Sequence, residues 1–260
     1  MADEFLGMAE PLSKAGFDTA IGALEAESAS LWSVLKVETN GFGFLPDRRP
    51  KILFERHIFH KRTDGKFSAA HPDISKSDGG GYSGGAAEYD RLARAMKLDR
   101  GAALESVSWG LPQIMGFNAK SIGYDSAEDM IERFKASESA QLDGMVRFVR
   151  NNSKLARALK DNQWATFASI YNGPAFAKNQ YDKKLADFHA LFVKEGEPNV
   201  DLRADQIRLT YLGHDPRGVD GVMGKGTRKA VSAFQEKAGL PATSELDEAT
   251  RTKLKAAAGV

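Results

Sequence analysis

Apolar residues recur along most of this chain at the three-and-four spacing of a helix. Leu24, Leu31 and Leu35 fall seven and four residues apart, which predicts one helix over roughly Asp18 to Val37. Tyr89, Leu92, Ala93 and Met96 repeat the stripe and predict another over Ala86 to Leu98. Ser126 followed by Asp129 reads as a capping-box-like start. Behind it Met130, Phe134, Leu142, Met145 and Val149 mark long helical segments. Gln163 to Tyr171 is short and apolar through Trp164, Phe167, Ala168 and Tyr171; after Pro174 a further helix runs through Leu185, Phe188 and Leu191. Gly41 to Tyr82 breaks the rhythm. It is rich in Gly, Pro, Asp and Ser, and only "KILFERHIF" within it can be a strand or a short helix.

The polar stretch "KEGEPNV", residues 194–200, carries Gly and Pro and reads as a linker. It divides the chain into residues 1–195 and 201–260. The second part has its own pattern. Ile207, Tyr211 and Leu212 predict one helix, followed by the glycine-rich turn "DPRGVDGVMGKGT". Ala230, Val231 and Phe234 predict a second, ended by Gly239, Leu240 and Pro241 as a glycine C-cap. A third opens on Ser244 or Asp247. The expected fold class is mainly α, with a large helical domain and a small three-helix domain. No repeated unit is legible.

One helix ends oddly. Glu38 lies three residues after Leu35 and seven after Leu31, so it shares their core-facing stripe. A carboxyl held there loses water, which raises its pKa, and the negative end of the helix dipole acts in the same direction. A carboxylic acid still protonated near neutral pH is what a general acid requires. Asn40 and Gly41 are expected to end the helix directly after it and open the group into a cleft. The plainer reading is an acid that turns toward water. A second carboxylate, Glu55, stands among Ile52, Leu53, Phe54, Ile58 and Phe59. A charge in so apolar a run needs a partner or a task. Arg48, Arg49 and Arg56 are near enough in sequence to pair with it in a buried salt bridge. Two acids around one cleft are also the minimum for cleaving a glycosidic bond.

Composition narrows the field. The 260 residues are 42% hydrophobic and 27% charged, an ordinary globular balance. Lys plus Arg number 36 against 35 Asp plus Glu, so no basic surface points to nucleic acid. No apolar run approaches the ~20 residues of a membrane span. The start "MADEFLGMAEPLSK" is acidic and lacks a signal's apolar core, so synthesis and initial residence in the cytoplasm are expected. With no cysteine there is no disulfide and no thiolate metal site.

Three segments then carry a resemblance: "VETNGFGFLPDRRPKILFERHIF", "SVSWGLPQIMGFN" and "ASIYNGP". The chain resembles phage endolysins of the N-acetylmuramidase type, over about Leu12 to Phe192. The resemblance implies a lysozyme-like helical catalytic domain, related to goose-type lysozymes and lytic transglycosylases. It implies Glu38 as the catalytic acid and Glu55 as the second acid. "SWGLPQIMG" is similar to the "GLMQ" segment that lines the cleft in those families, with Pro112 where they usually carry Met. "YNGP" is similar to their "YNxG" segment, whose tyrosine closes over the acid; here that is Tyr171, followed by Asn172. Ser108, Trp109 and Gln113 are expected to give a stacking face and amide hydrogen bonds for a sugar; core packing is the plainer reading of Trp109 and Tyr171. Residues 201–260 resemble the three-helix peptidoglycan-binding module, on "DGVMGKGTRKAVSAFQ" against its "DGxxGxxTxxAVxxFQ" pattern. Asp220, Gly221, Gly224 and Thr227 shape the turn near which a wall-facing groove is expected.

The implied function is hydrolysis of the β-1,4 bond between N-acetylmuramic acid and N-acetylglucosamine, with no cofactor and no metal. The expected partner is peptidoglycan, through its glycan strands or stem peptides, met by a monomer that reaches the wall through a membrane pore. The alternatives are a lytic transglycosylase, a non-catalytic wall-binding or tail-assembly protein, and an interbacterial toxin. Two patterns mislead. "GYSGG" fits a nucleophile elbow but no strand precedes it; a mobile glycine loop, placed as a flap over the cleft, is the better reading. His57, His60 and His71 lack the i, i+4 spacing of a helical zinc site; His57 is expected to hydrogen-bond locally or to help set Glu55.

Overall fold

The first stripe is cut in two. In the computed structural model, which describes residues 2–39 and 42–260, Glu25 takes a left-handed conformation and its N–H closes onto the Gly22 carbonyl. The expected single helix over Asp18 to Val37 is therefore α1 (Lys14–Leu24) and α2 (Ser28–Thr39). The spacing of the leucines survives the break, which is why periodicity did not reveal it. The expected helix stop at Asn40 and Gly41 lies outside the described residues. "KILFERHIF" is both strand and helix: β1 (Ile52–Phe54) runs into α3 (Arg56–Arg62). Then come α4 (Glu88–Leu98), α5 (Arg100–Glu105), β2 (Val107–Trp109) and β3 (Ile114–Met115). Ser126 accepts the Asp129 N–H and starts α6 (Ala127–Ala136). The remaining helices of the large part are α7 (Glu138–Arg150), α8 (Ser153–Lys160), α9 (Trp164–Tyr171) and α10 (Tyr181–Glu195).

α2 is buried almost all round, from Ala29 through Leu35, as expected of a helix with no solvent face. It packs on α10, and its Leu31, Trp32 and Leu35 join Leu142, Met145, Phe167 and Leu185 in one apolar core. A second core lies under the antiparallel sheet β1-β2-β3 and α4 to α6, with Phe54, Phe59, Leu92, Trp109 and Phe134 at its centre. In the register Ile52 faces Trp109, Leu53 faces Ser108 and Phe54 faces Val107.

A buried ion pair fixes that sheet. Glu88, fully buried, accepts the Phe54 N–H at 3.1 Å, the Gly84 N–H at 2.9 Å and the Ser83 N–H. Arg91 donates to Glu88 at 2.8 Å and to the Phe54 carbonyl at 2.9 Å. Burial works to raise the Glu88 pKa, but the three backbone N–H groups and Arg91 outweigh it and the carboxyl is held below its usual range. The "GYSGG" loop is thus tied to the base of α4 by Glu88. At its other end Arg56 donates to the Asp78 and Gly79 carbonyls at 2.9 Å.

Residues beyond 199 form α11 (Val200–Tyr211), α12 (Lys225–Lys237) and α13 (Glu248–Ala258), with Asp247 rather than Ser244 as the last N-cap. Two buried glutamines hold the turns between them. Gln206 donates to Asp220 Oδ1, the Val222 carbonyl and Thr227 Oγ1, and accepts the Asp220 and Gly221 N–H groups. Gln235 donates to Thr243 Oγ1, the Glu245 carbonyl and Thr250 Oγ1, and accepts the Ser244 N–H. The same amide device is used twice, a repetition the sequence does not display because the residues between differ in kind and number. Among the described residues no helix is long and apolar enough to cross a membrane.

Removing one partner of a buried, hydrogen-bonded ion pair strands the other. Arg91→Met is therefore expected to destabilise the protein by about 3–5 kcal/mol, read as a fall in the urea midpoint at unchanged m-value. A midpoint within error of the parent protein would contradict the clamp.

Candidate active site

Glu38 sits in the last turn of α2, on the line continued from Leu31 and Leu35, both of which are buried. Its carboxyl is packed away from water and keeps only a partial edge on a cleft of about 370 Å³. Val37, Thr39, Leu45, Lys51, Ile52, Leu53, Gly85 and Gln113 complete the wall. Burial raises the Glu38 pKa to about 7, against the opposing pull of a hydrogen bond from Asn172 Nδ2 to Oε1 at 2.8 Å. Asn172 Oδ1 is buried without a partner. Rotating that amide would let it accept from a protonated Glu38, so Asn172 can serve either charge state.

Lys51 supplies the cation of the cleft. Its Nζ donates to the Thr39 carbonyl at 3.3 Å, at the negative end of α2. Burial lowers its pKa to about 8; Glu138 pulls it back up and Arg203 pushes it further down. Tyr171 is half-buried, and its hydroxyl donates to the Pro112 carbonyl at 2.8 Å. Burial, then the charge of Glu38, raises its pKa well above the usual phenol value. Tyr171 therefore links α9 to the β2–β3 turn, and Asn172, the next residue, makes the direct bond to Glu38. Tyr181 at the start of α10 feels the same charge.

The β2–β3 turn brings Gln113 to the cleft in a left-handed backbone conformation, φ 52°, an unusual one for a non-glycine residue. Its amide is held on both sides, by Ser108 Oγ donating to Oε1 at 2.8 Å and by Nε2 donating to the Gly110 carbonyl at 2.8 Å. Trp109 is a correction. It is fully buried, its indole N–H is taken by the Leu104 carbonyl at 3.2 Å, and its ring packs on Phe5. It has no face to offer a ligand, because period-two alternation turns it under the sheet, on the face opposite Ser108, which is itself buried against Gln113.

Glu55 follows β1 and stands at the head of α3, where it caps nothing with its side chain. It is not among the residues that line the cleft around Glu38, although its neighbour Leu53 is. None of the expected arginines pairs with it. Arg49 pairs with Asp47 and lies 4.2 Å over the Tyr89 ring, Arg48 donates to the Ala258 carbonyl, and Arg56 holds loop carbonyls. The partner is instead Tyr82 of the glycine loop, whose hydroxyl donates to Oε2 at 2.9 Å and reaches Oε1 at 3.1 Å. Burial, the Glu55 charge and this bond push the Tyr82 pKa up to about 12. His57 Nδ1 lies 3.1 Å from Glu55 Oε2 but is not aligned to hydrogen-bond it. Tyr82 was missed in the sequence because a loop of glycines hides which side chain it delivers. Lys51 and Glu88 gave no signal beyond being charges near apolar runs.

In the C-terminal helices Thr227 is buried and receives Gln206, and Asp220 accepts the Val222 N–H at 3.0 Å. Gly221, at φ 70°, packs so closely on Asn199 that a Cβ would stand 2.7 Å from its carbonyl oxygen. Gly224 begins α12. These four build the turn. Asp220 and Val222 face a small apolar cavity of about 200 Å³ shared with Trp32 and Phe188, rather than a surface of the three-helix unit alone. A larger depression of about 640 Å³ lies between α1 and α7, and its only carboxylate, Asp143, is paired with Arg147.

The sequence pattern of the N-acetylmuramidase family matches residues 27–193, and that of the peptidoglycan binding domain matches residues 199–254. No curated protein matches the chain. Among solved structures it is similar to the crystal structure of the Burkholderia AP3 phage endolysin, at 40% identity and a TM-score of 0.65, over 71% of this chain and 73% of that one.

The raised pKa of Glu38 has a consequence for stability. The folded value of about 7 lies above the unfolded 4.5. The associated stability is therefore fully present below pH 4.5 and is lost as pH rises through 7. Because the group keeps an open edge, the loss is about 1–3 kcal/mol. Glu38→Gln removes this dependence. The variant is expected to match the parent near pH 4.5 and to exceed it above pH 7, read as Tm against pH. Parallel Tm curves for the two proteins would contradict a buried, proton-holding Glu38.

Proposed function

The chain belongs to the N-acetylmuramidase family, a family of peptidoglycan-cleaving glycosidases, and we propose that it is a phage endolysin that hydrolyses the β-1,4 bond between N-acetylmuramic acid and N-acetylglucosamine. One observation carries this reading: a carboxyl whose pKa burial has raised to about 7, at the edge of a cleft. Such a group is protonated often enough at neutral pH to donate, and its conjugate base is strong enough to take the proton back.

In the proposed reaction Glu38 gives its proton to the glycosidic oxygen as the bond to the muramic carbon breaks. Asn172 aims the carboxyl before transfer and donates to the carboxylate after it. Glu55 is the second carboxylate, which either attacks the sugar or activates the water that does; the anomeric form of the first product separates the two. Tyr82 fixes its two oxygens. With Trp109 buried, the exposed ring beside Glu55 is Tyr82, and we assign to it the contact with the sugar face. Gln113 Oε1 keeps a second lone pair for an N-acetyl N–H, and Ser108 holds that amide in place. Catalysis is assigned to residues 1–195 and wall attachment to residues 201–260, across the linker 194–200. The match to a peptidoglycan binding domain supports the second assignment. The likeness to a phage endolysin supports a route to the wall through a pore in the host membrane.

Glu38→Gln is expected to lower the rate of wall clearing by about 10²–10⁴-fold, the usual worth of a general acid, while the protein still sediments with wall. Glu55→Gln is expected to lose kcat with little change in KM. Mass spectrometry of the digest is expected to show reducing muramic ends. Clearing by Glu38→Gln at the parental rate would remove Glu38 from this role, and 1,6-anhydro ends would replace hydrolysis by transglycosylation.

A further inference from the structure

The segment Phe42–Lys51, which reaches the cleft at Leu45 and Lys51, is held by residues from both parts of the chain. Gly43 N–H donates to Glu138 Oε1 at 2.8 Å, and Leu12 N–H donates to Oε2 at 2.9 Å. Glu138, at the start of α7, is fully buried, and its partner is Arg203 of α11, which is 1% exposed. The guanidinium grips both carboxylate oxygens, at 2.7 and 2.8 Å, the paired geometry in which arginine binds a carboxylate most firmly. Gly43 has no room for a side chain, because a Cβ would stand 2.9 Å from Leu111. Its carbonyl accepts the Lys51 N–H at 2.8 Å, closing the segment on itself.

An apolar seal surrounds this pair. Phe42 and Phe44 of the segment are buried with Ala9 and Ile207, and Tyr211 packs against them. The Tyr211 hydroxyl donates to the Ala9 carbonyl at 2.8 Å. Arg48 lies 4.8 Å over the Tyr211 ring and donates to the Ala258 carbonyl of α13 at 2.5 Å. Contacts of this kind differ from the small polar interface of a domain on a loose tether. Removing the three-helix unit would leave Glu138 buried without its cation, which is strongly unfavourable, and would uncover two phenylalanines. The same segment carries Leu45 and Lys51 into the wall of the cleft beside Glu38.

We infer that the peptidoglycan-binding domain is a structural support behind one wall of the catalytic cleft, with Arg203 a positioning residue that acts through Glu138 on the segment Phe42–Lys51. This rests on the reading of Glu38 as the acid. The domain then has two separable jobs: it holds the enzyme on the wall, and it sets the geometry beside the acid even when there is no wall to hold. Small displacements next to a reacting group can cost two orders of magnitude in rate, so the second job is kinetic and does not depend on attachment.

The test uses full-length protein and two substrates, insoluble wall and soluble glycan strands freed of it by sonication. Arg203→Met leaves Glu138 unpaired, and Tyr211→Phe and Arg48→Ala loosen the seal with less risk to folding. All are assayed below the temperature at which their circular dichroism begins to change. The expected result is a loss of kcat on soluble strands, about 10-fold or more for Arg203→Met and about 3-fold for the milder pair, with KM on those strands and sedimentation with wall unchanged. Arg203→Lys, which keeps the charge without the two-point grip, is expected to recover part of the kcat. If Arg203→Met does not fold, the milder variants decide. Parental kcat on soluble strands together with weaker sedimentation would overturn the inference and leave the domain a tether. Glu38→Gln serves as the control. If it retains activity on the same strands, the reading of the acid has failed; if it is inactive while the Arg203, Tyr211 and Arg48 variants work at full rate, only the inference has.

Discussion

The helix that carries Glu38 has almost no solvent side. Its own residues from Ala29 through Leu35 are buried on successive faces, and the carboxyl at its last turn shares much of that dryness. Neutralisation is the ordinary response of an acid largely removed from water. Among the described residues one hydrogen bond, from Asn172, opposes it. The reactive property of the group is therefore a by-product of core packing: the residues that make α2 a stable central helix are also those that keep a proton on Glu38 near neutral pH. Loosening the core around α2 would admit water and undo both.

Three glutamates, two fully buried and one at the cleft edge, show how narrow this condition is. Glu88 receives three backbone N–H groups and an arginine and titrates below its usual range. Glu138 receives two backbone N–H groups and both arms of Arg203. Glu38 receives one amide. The first two act as anchors that tie loops to helices, and each fixes a segment next to the cleft: Glu88 the strand before Glu55 and the loop of Tyr82, Glu138 the segment Phe42–Lys51. Between Glu88 and Glu38 the number of donors, and not burial alone, separates an anchor from an acid that holds its proton.

Much of this was legible in the sequence, and for a reason. Glu38 lies on a leucine stripe, and a stripe of three and four fixes which face a side chain shares. The helices of both parts, the Ser126 cap and the boundary near Gly239 follow from equally local rules. What stayed hidden depends on contacts between distant residues. Arg203 and Glu138 are 65 positions apart, and each alone looks like a charge on an amphipathic helix. Tyr82 sits in a run of glycines that gives no direction to its side chain. Trp109 misled because its segment resembles a cleft lining, whereas strand alternation sends every second residue under the sheet. The break at Glu25 escaped because the leucines on its two sides keep the spacing of a single stripe.

The direct test of the central claim is the titration of Glu38 itself. Protein labelled with ¹³C at glutamate side chains, with Glu38→Gln to identify the resonance, would report the carboxyl across the pH range. The account requires a midpoint near 7, falling toward ordinary carboxylate values when the core around α2 is opened. A midpoint at about 4.5, with the resonance behaving as a solvated carboxylate, would contradict it.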